Sequence, residues 1–183
     1  MCHRFIVMLQ KHHRPHQSRF THCRSTLDAI LALCLLAEIH IEFQQPLHVA
    51  FVDSKAAFDS VDRNALWKAM HGVGVPSVLM NLIIDLRSAT SSRVRLAGRI
   101  YEPFTTTSGV RQGCVLATAL FCRVMDYIMD CVSRIVGIQG GQLIFTHIDY
   151  ADDIALLVDK EESFCTALAA MDEEASKFGL WVS

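Results

Sequence analysis

Apolar positions arrive in blocks whose spacing changes along the chain, and each change marks a boundary. Leu27, Ile30, Leu31, Cys34 and Ile41 recur near the helical period behind Ser25 or Thr26 as a cap and Asp28 at the positive end. They predict a long helix that stops before Pro46. Leu47 to Asp53 is a short Val-, Phe- and Leu-rich run ending in an acid, which predicts a buried strand. Asp62 caps a helix that passes through Trp67 and that Gly72 can end. Pro76 opens another, with Val78, Leu79, Leu82, Ile83 and Leu86 on one side. Ser92–Leu96 and Tyr101–Thr106 flank Ala97-Gly98 as a hairpin, with Arg93 and Arg95 on one face. A helix from about Ala117 to Ser133 follows, then strands at 142–149 and 154–158 around a tight acidic turn, a helix over about 162–178 and a stub of strand at 180–183. Before all of these, the first thirteen residues read as a short helix and Arg14 to Arg24 as a basic loop opened by Pro15. Strands, hairpins and helices in this order with short connections describe an α+β domain, an antiparallel sheet with helices packed on one face.

Length and composition narrow the class without naming a function. In 183 residues, 51% hydrophobic and 20% charged with 9 Gly and 4 Pro, there is enough apolar surface for a core and no disordered or low-complexity character. The longest uncharged apolar run, Ala29 to Ala37, is about half of the ~20 residues a bilayer helix requires, so no membrane span is expected. Seven cysteines with no C-x-x-C pair suggest neither a zinc ribbon nor a disulfide framework, and place the chain in a reducing, intracellular compartment, nucleus or cytoplasm alike. Net charge is −2, but residues 1–27 carry five Lys or Arg and no acid. Such a basic front suits a phosphate backbone, and equally a solvated helix and loop.

Chemistry enters with two acidic clusters, each at a strand end. Asp53 closes the 47–53 strand, and Asp152-Asp153 stand in the turn between two apolar strands about a hundred residues later. Either cluster alone is more readily a loop cap or a turn start. Together, on neighbouring strands, they would repel one another unless a cation intervened, the usual circumstance of a divalent-metal site. Magnesium suits them, because it takes one or two carboxylates and completes its shell from water and substrate phosphates. The segment Ser108-Gly109-Val110-Arg111-Gln112-Gly113-Cys114-Val115-Leu116-Ala117 is a glycine loop running into a helix, uninformative unaided.

In combination the three segments resemble the palm of a reverse transcriptase of the non-LTR, LINE-type retrotransposon family. Phe51-Val52-Asp53-Ser54-Lys55-Ala56-Ala57-Phe58-Asp59 with Ser60-Val61-Asp62-Arg63 is similar to the first catalytic motif, the 108–116 loop to the second, and Tyr150-Ala151-Asp152-Asp153 to the third. Arg14 to Thr26 resembles the fingers-palm junction and Lys177 to Ser183 the start of a fourth palm motif. The resemblance implies partial fingers and a junction over 1–46, a palm over 47–183 and no thumb. It implies that Asp53, Asp152 and Asp153 hold two Mg²⁺ ions, with Mn²⁺ as a substitute, and that Asp152 is the firmer ligand of the hairpin pair. Ser54 would offer its carbonyl, Ala56 and Ala57 their amides to the triphosphate, Phe58 a ring under the incoming sugar, and Gln112 and Gly113 a platform for the nascent base pair. Phe58 also reads as a core phenylalanine. Arg24 and Arg111 are candidate nucleic-acid phosphate contacts.

The implied reaction is RNA-templated extension of a DNA primer 3′-hydroxyl with deoxynucleoside triphosphates. Thr118 stands where the family commonly has proline, Arg19 and Cys23 replace glycines, and His147 interrupts an apolar strand. Since positioning supplies most of the catalysis in phosphoryl transfer, the isolated chain is expected to be impaired. Two other outcomes stay open: an inert retroelement remnant that binds nucleic acid or protein, and self-association through apolar faces, which a positive mean hydropathy favours.

Overall fold

The computed structural model describes residues 24–88, 90–140 and 143–182. The expected short helix over residues 1–13, the basic loop up to Cys23, and Arg19 and Cys23 themselves lie outside the described residues.

A three-stranded antiparallel sheet forms the centre, in the order β1 (His48–Val52), β10 (Asp153–Val158), β9 (His147–Tyr150). Every residue of β10 after Asp153 is buried, because both faces of the strand are covered. Ile154, Leu156 and Val158 alternate onto one face and join the main core with Val52. Against that face lie α5 (Val115–Val132) and α6 (Glu162–Lys177), with α3 (Arg63–Gly72) packed on α5. Leu157 points the other way, into a smaller cluster with Leu36, Leu33, Val49 and Ile148, where α1 (Thr26–Glu42) covers the sheet.

The long helix forms where its caps predict, with Asp28 accepting from the Ser25 amide at 2.6 Å, but it buries a different face. Ala29, Leu36 and His40 are buried, whereas Leu27, Ile30, Leu31, Cys34 and Ile41 are exposed. This helix is apolar nearly all round, so periodicity alone could not choose its inward side. The same correction holds for α4 (Ser77–Arg87), where Met80, Ile83 and Arg87 are buried while Val78, Leu82 and Leu86 face solvent.

Asp62 caps α3 as expected, its carboxylate accepting from the Ala65 amide at 2.7 Å. Ala97 and Gly98, both at positive φ, turn the hairpin between β4 (Arg95–Leu96) and β5 (Arg99–Ile100), and β3 (Ser91–Ser92) pairs with β6 (Phe104–Thr105) beneath it. Three details differ from the sequence reading. The strand expected over 142–149 is broken at Thr146 into β8 (Leu143–Phe145), which pairs with β7 (Ile138–Gly140), and β9. The expected stub of strand at 180–183 forms as β11 (Trp181–Val182), but it pairs with a short strand that was not expected, β2 (Ser54–Lys55). His147 is an interior residue, its Nε2 3.3 Å from Asp149 Oδ2 on the same face of β9 and its Nδ1 2.7 Å from Thr146 Oγ1. Among the described residues, no helix is long and apolar enough to cross a membrane.

Candidate active site

Strand register brings the two acidic clusters together. In the β1–β10 ladder Val52 pairs with Ile154 and Phe51 with Ala155. Carried one pair further, the register sets Asp53 across from Asp153, with Asp152 next in the turn. That turn is closed by the Tyr150–Asp153 pair and made possible by Ala151 at φ 65°. Asp53 and Asp153 are exposed and Asp152 is half-buried, so the carboxylates emerge at the rim of the sheet rather than within the core.

The glycine loop arrives through backbone contacts. Immediately after β2, Ala56 adopts a left-handed conformation, φ 50° and ψ 37°, and throws the chain into a single helical turn, α2 (Ala57–Ser60). Against this turn the Gly109 amide donates to Val61 O at 2.8 Å, the Val110 amide to Phe58 O at 2.7 Å and the Ser108 hydroxyl to Asp59 O at 3.2 Å. Only glycine fits at 109, since a Cβ there would stand 2.6 Å from Asp59 O, and φ is +76°.

Arg63 completes the fastening. Its Nε donates to Gly109 O at 3.0 Å, Nη2 to Ser108 O and to Thr90 Oγ1, and Nη1 to Arg87 O and Thr106 O. One side chain thus ties the loop to α4 and to the foot of the hairpin. Burial and the neighbouring Arg87 charge depress its pKa from the ordinary arginine value, without making it neutral near pH 7. This residue was missed as a functional one. It ends the first motif in sequence, but nothing local shows that its five donors reach backwards and forwards along the chain.

Together these elements enclose a cleft of about 390 Å³ lined by Asp53, Ser54, Lys55, Ala56, Ala57, Phe58, Asp59, Gln112 and Asp152. Seven of the residues singled out from sequence therefore meet in one place. Asp153 lies on the adjoining side, in an apolar hollow of about 310 Å³ that it shares with Asp53, Ile30, Phe51 and Tyr150. Gly113 takes φ +82° with open space around its Cα, and Arg111 and Arg24 are exposed outside the cleft wall. Phe58 stacks on Phe121 of the core at 4.3 Å between ring centroids and also lines the cleft.

Three carboxylates line the cleft against one lysine, all hard oxygen donors with no cysteine or histidine among them. Ser54, 4% exposed, keeps a hydroxyl without a hydrogen-bond partner there. Among the described residues no three His, Cys, Asp or Glu side chains are gathered to hold a metal by themselves. The donor set fits a cation that takes few protein carboxylates and draws its other ligands from substrate, as magnesium does. A triphosphate would be repelled by this lining unless cations came with it.

A sheet rim carrying acids, a clamped glycine loop and helices behind the sheet define a polymerase palm. Solved structures agree on the fold: apo telomerase from Candida tropicalis superimposes with a TM-score of 0.70 at 13% identity, covering 100% of this chain and 38% of its own. Telomerase from Candida albicans gives 0.70 at 14%, covering 100% and 34%. A family model for reverse transcriptase (RNA-dependent DNA polymerase) matches residues 2–183, and the chain belongs to that family. Its kinship is with the non-LTR retrotransposons. It is 29% identical over 137 residues to the Pol polyprotein of a type-1 retrotransposable element R2 from Nasonia vitripennis, covering 73% of this chain and 13% of the relative. To the type-2 element R2DM polyprotein of Drosophila melanogaster it is 25% identical over 132 residues, covering 72% and 12%. The chain thus spans about an eighth of these two relatives.

Proposed function

We propose that this chain is the nucleotidyl-transfer palm of an RNA-directed DNA polymerase, with the junction to the fingers in residues 1–46 and the palm in 47–183. The observation that carries this reading is the single cleft into which Asp53, Asp152, Ser54, the 56–58 turn and Gln112 all converge. Asp53 and Asp152, with Asp153 beside them, would hold two Mg²⁺ ions or Mn²⁺ in their place. When bound, the ions would neutralise phosphate charge and make the primer hydroxyl easier to deprotonate.

The protein's own part is placement. Ala56 and Ala57 present backbone amides to the triphosphate, and Phe58, braced by Phe121, stands where a 2′-hydroxyl would lie. Gln112 and Gly113 face the nascent pair, whose sequence is copied by base pairing and not read by side chains. Template RNA, primer DNA and deoxynucleotides are the partners, with Arg24 and Arg111 touching phosphates. Free thiols at Cys34, Cys114, Cys122, Cys131 and Cys165 suit a reducing, intracellular setting.

The test is primer extension on an RNA template with Mg²⁺ and deoxynucleotides, comparing the chain with its Asp152→Ala/Asp153→Ala variant after circular dichroism shows that both fold. Slow extension that disappears in the variant is the expected result. Extension that persists without the two acids, or none from either chain while RNA binding is retained, would refute the reading and in the second case favour a binding module.

A further inference from the structure

Arg87 is an unusual residue to find inside this domain. It ends α4, is 5% exposed, and has no carboxylate partner among the described residues. Its Nε is buried without a hydrogen-bond partner, and its Nη2 points at one atom, Cys114 Sγ, at 3.6 Å. A guanidinium held in the interior ordinarily has an anion beside it, because its desolvation is otherwise uncompensated. Among the described residues, the group beside it that can become that anion is the Cys114 thiol.

Cys114 is also well placed to do so. It caps α5, where the unsatisfied amides of the first helical turn favour negative charge. Burial raises its pKa, but the amides of Ala117 and Leu116 and the Arg87 charge outweigh burial and leave the thiol below its ordinary value. The charge that acts on it is that of Arg87 from α4, with Arg63 of α3 next to Arg87 and the exposed Arg111 in the preceding turn. Cys114 is half-buried, packed on the core but flanked by exposed Gly113 and Val115, so the residue is open in part to a small reagent.

We propose that Cys114 is a peroxide-reactive thiolate, an oxidative modification site built from the Arg87 guanidinium and the start of α5. In the step, the thiolate sulfur attacks one oxygen of a hydroperoxide. An S–O bond forms as the O–O bond breaks, sulfur is oxidised to sulfenic acid, and the other oxygen leaves as hydroxide, or alkoxide from an organic peroxide, and takes a proton from water. The Arg87 guanidinium, whose Nη2 lies 3.6 Å from the sulfur, supplies positive charge beside the reacting pair. If the preceding section's reading is right, the modified residue lies two positions from Gln112, and oxidation ties the nucleotide cleft to the redox state of the cell. That consequence rests on the reading; the modification itself does not.

The folded chain is treated with hydrogen peroxide and dimedone, and separately with iodoacetamide, at pH 7, and adducts are assigned by peptide mass spectrometry. Cys34 and Cys165, both exposed, are the internal references. Cys114 should label about ten-fold faster than either despite being less exposed, with its rate–pH midpoint below theirs. In Arg87→Met the advantage should be lost, and in Arg87→Lys largely kept. Equal or slower labelling of Cys114 in the wild-type chain overturns the proposal without recourse to any variant. So does an advantage that survives in folded Arg87→Met. None of these readings requires primer extension, so failure here is separable from failure of the polymerase assignment.

Discussion

Replacing Gly109 by alanine tests whether the glycine loop is held in the cleft by close backbone approach. The residue has φ +76°, where an alanine costs about 1 kcal/mol. The new Cβ would lie 2.6 Å from Asp59 O and 2.8 Å from Asp59 Cα, both main-chain atoms that cannot swing aside. The loop must therefore lift, which breaks the Gly109–Val61 and Val110–Phe58 hydrogen bonds, at about 1 kcal/mol each. The sum is about 3 kcal/mol.

Gly98 supplies the control, since it too has positive φ, +77°, but nothing within 4 Å of an added Cβ. Gly98→Ala should cost only the conformational part, about 1 kcal/mol. Urea unfolding followed by circular dichroism measures both, at equal slopes if the unfolded states match. Equal losses in the two variants would show that loop and turn are not in contact as described, and the account of how Gln112 reaches the cleft would fall with it.

Arg63→Met removes five donated hydrogen bonds to the loop, α4 and the hairpin foot, and should cost about 2–3 kcal/mol in the same unfolding assay. A loss below about 0.5 kcal/mol would mean that the clamp is ornamental. Thr118→Pro restores the residue common in the family but deletes the amide that donates to Cys114 O at 3.2 Å in the first turn of α5; a loss of about 1–2 kcal/mol is expected, and a gain in stability would show that the helix prefers to start later.

The order of elements and the α+β class were legible because caps, prolines and changes of period are local signals. Asp62 reads as a cap in sequence and is one in space. Which side of a helix faces inward is a different kind of information. In α1 the apolar residues outnumber the positions that can be buried, so Leu27 and Ile41 were as plausible as Leu36, and only the sheet beneath selects Ala29, Leu33, Leu36 and His40. In α4 the surprise is sharper, because the last inward position is filled by Arg87 while Leu86 is exposed; hydropathy ranks them the wrong way round. The stubs β2 and β11 are two residues each and exist only as a pair, stabilised by a partner more than a hundred positions away.

For the cleft, the balance between local and distant information is the same. Asp53, Asp152 and Gln112 could be picked out because three segments, each uninformative alone, resemble in order the motifs of one family. What brings them to one cleft is not visible in those residues. It is the ladder that sets position 53 across from 153, the left-handed Ala56 that turns the chain into α2, and the backbone of Asp59, which admits only a glycine opposite. Arg63 belongs to this second set. It lies within the first motif, yet its partners are Arg87, Thr90, Thr106, Ser108 and Gly109, spread over three later elements. A cation so committed to carbonyl oxygens is not available to a ligand, and that separates it from Arg87, whose Nε–H remains unpartnered. Two arginines a few ångströms apart thus have different roles, one structural and the other chemical, and the difference is set by which acceptors the fold brings within reach.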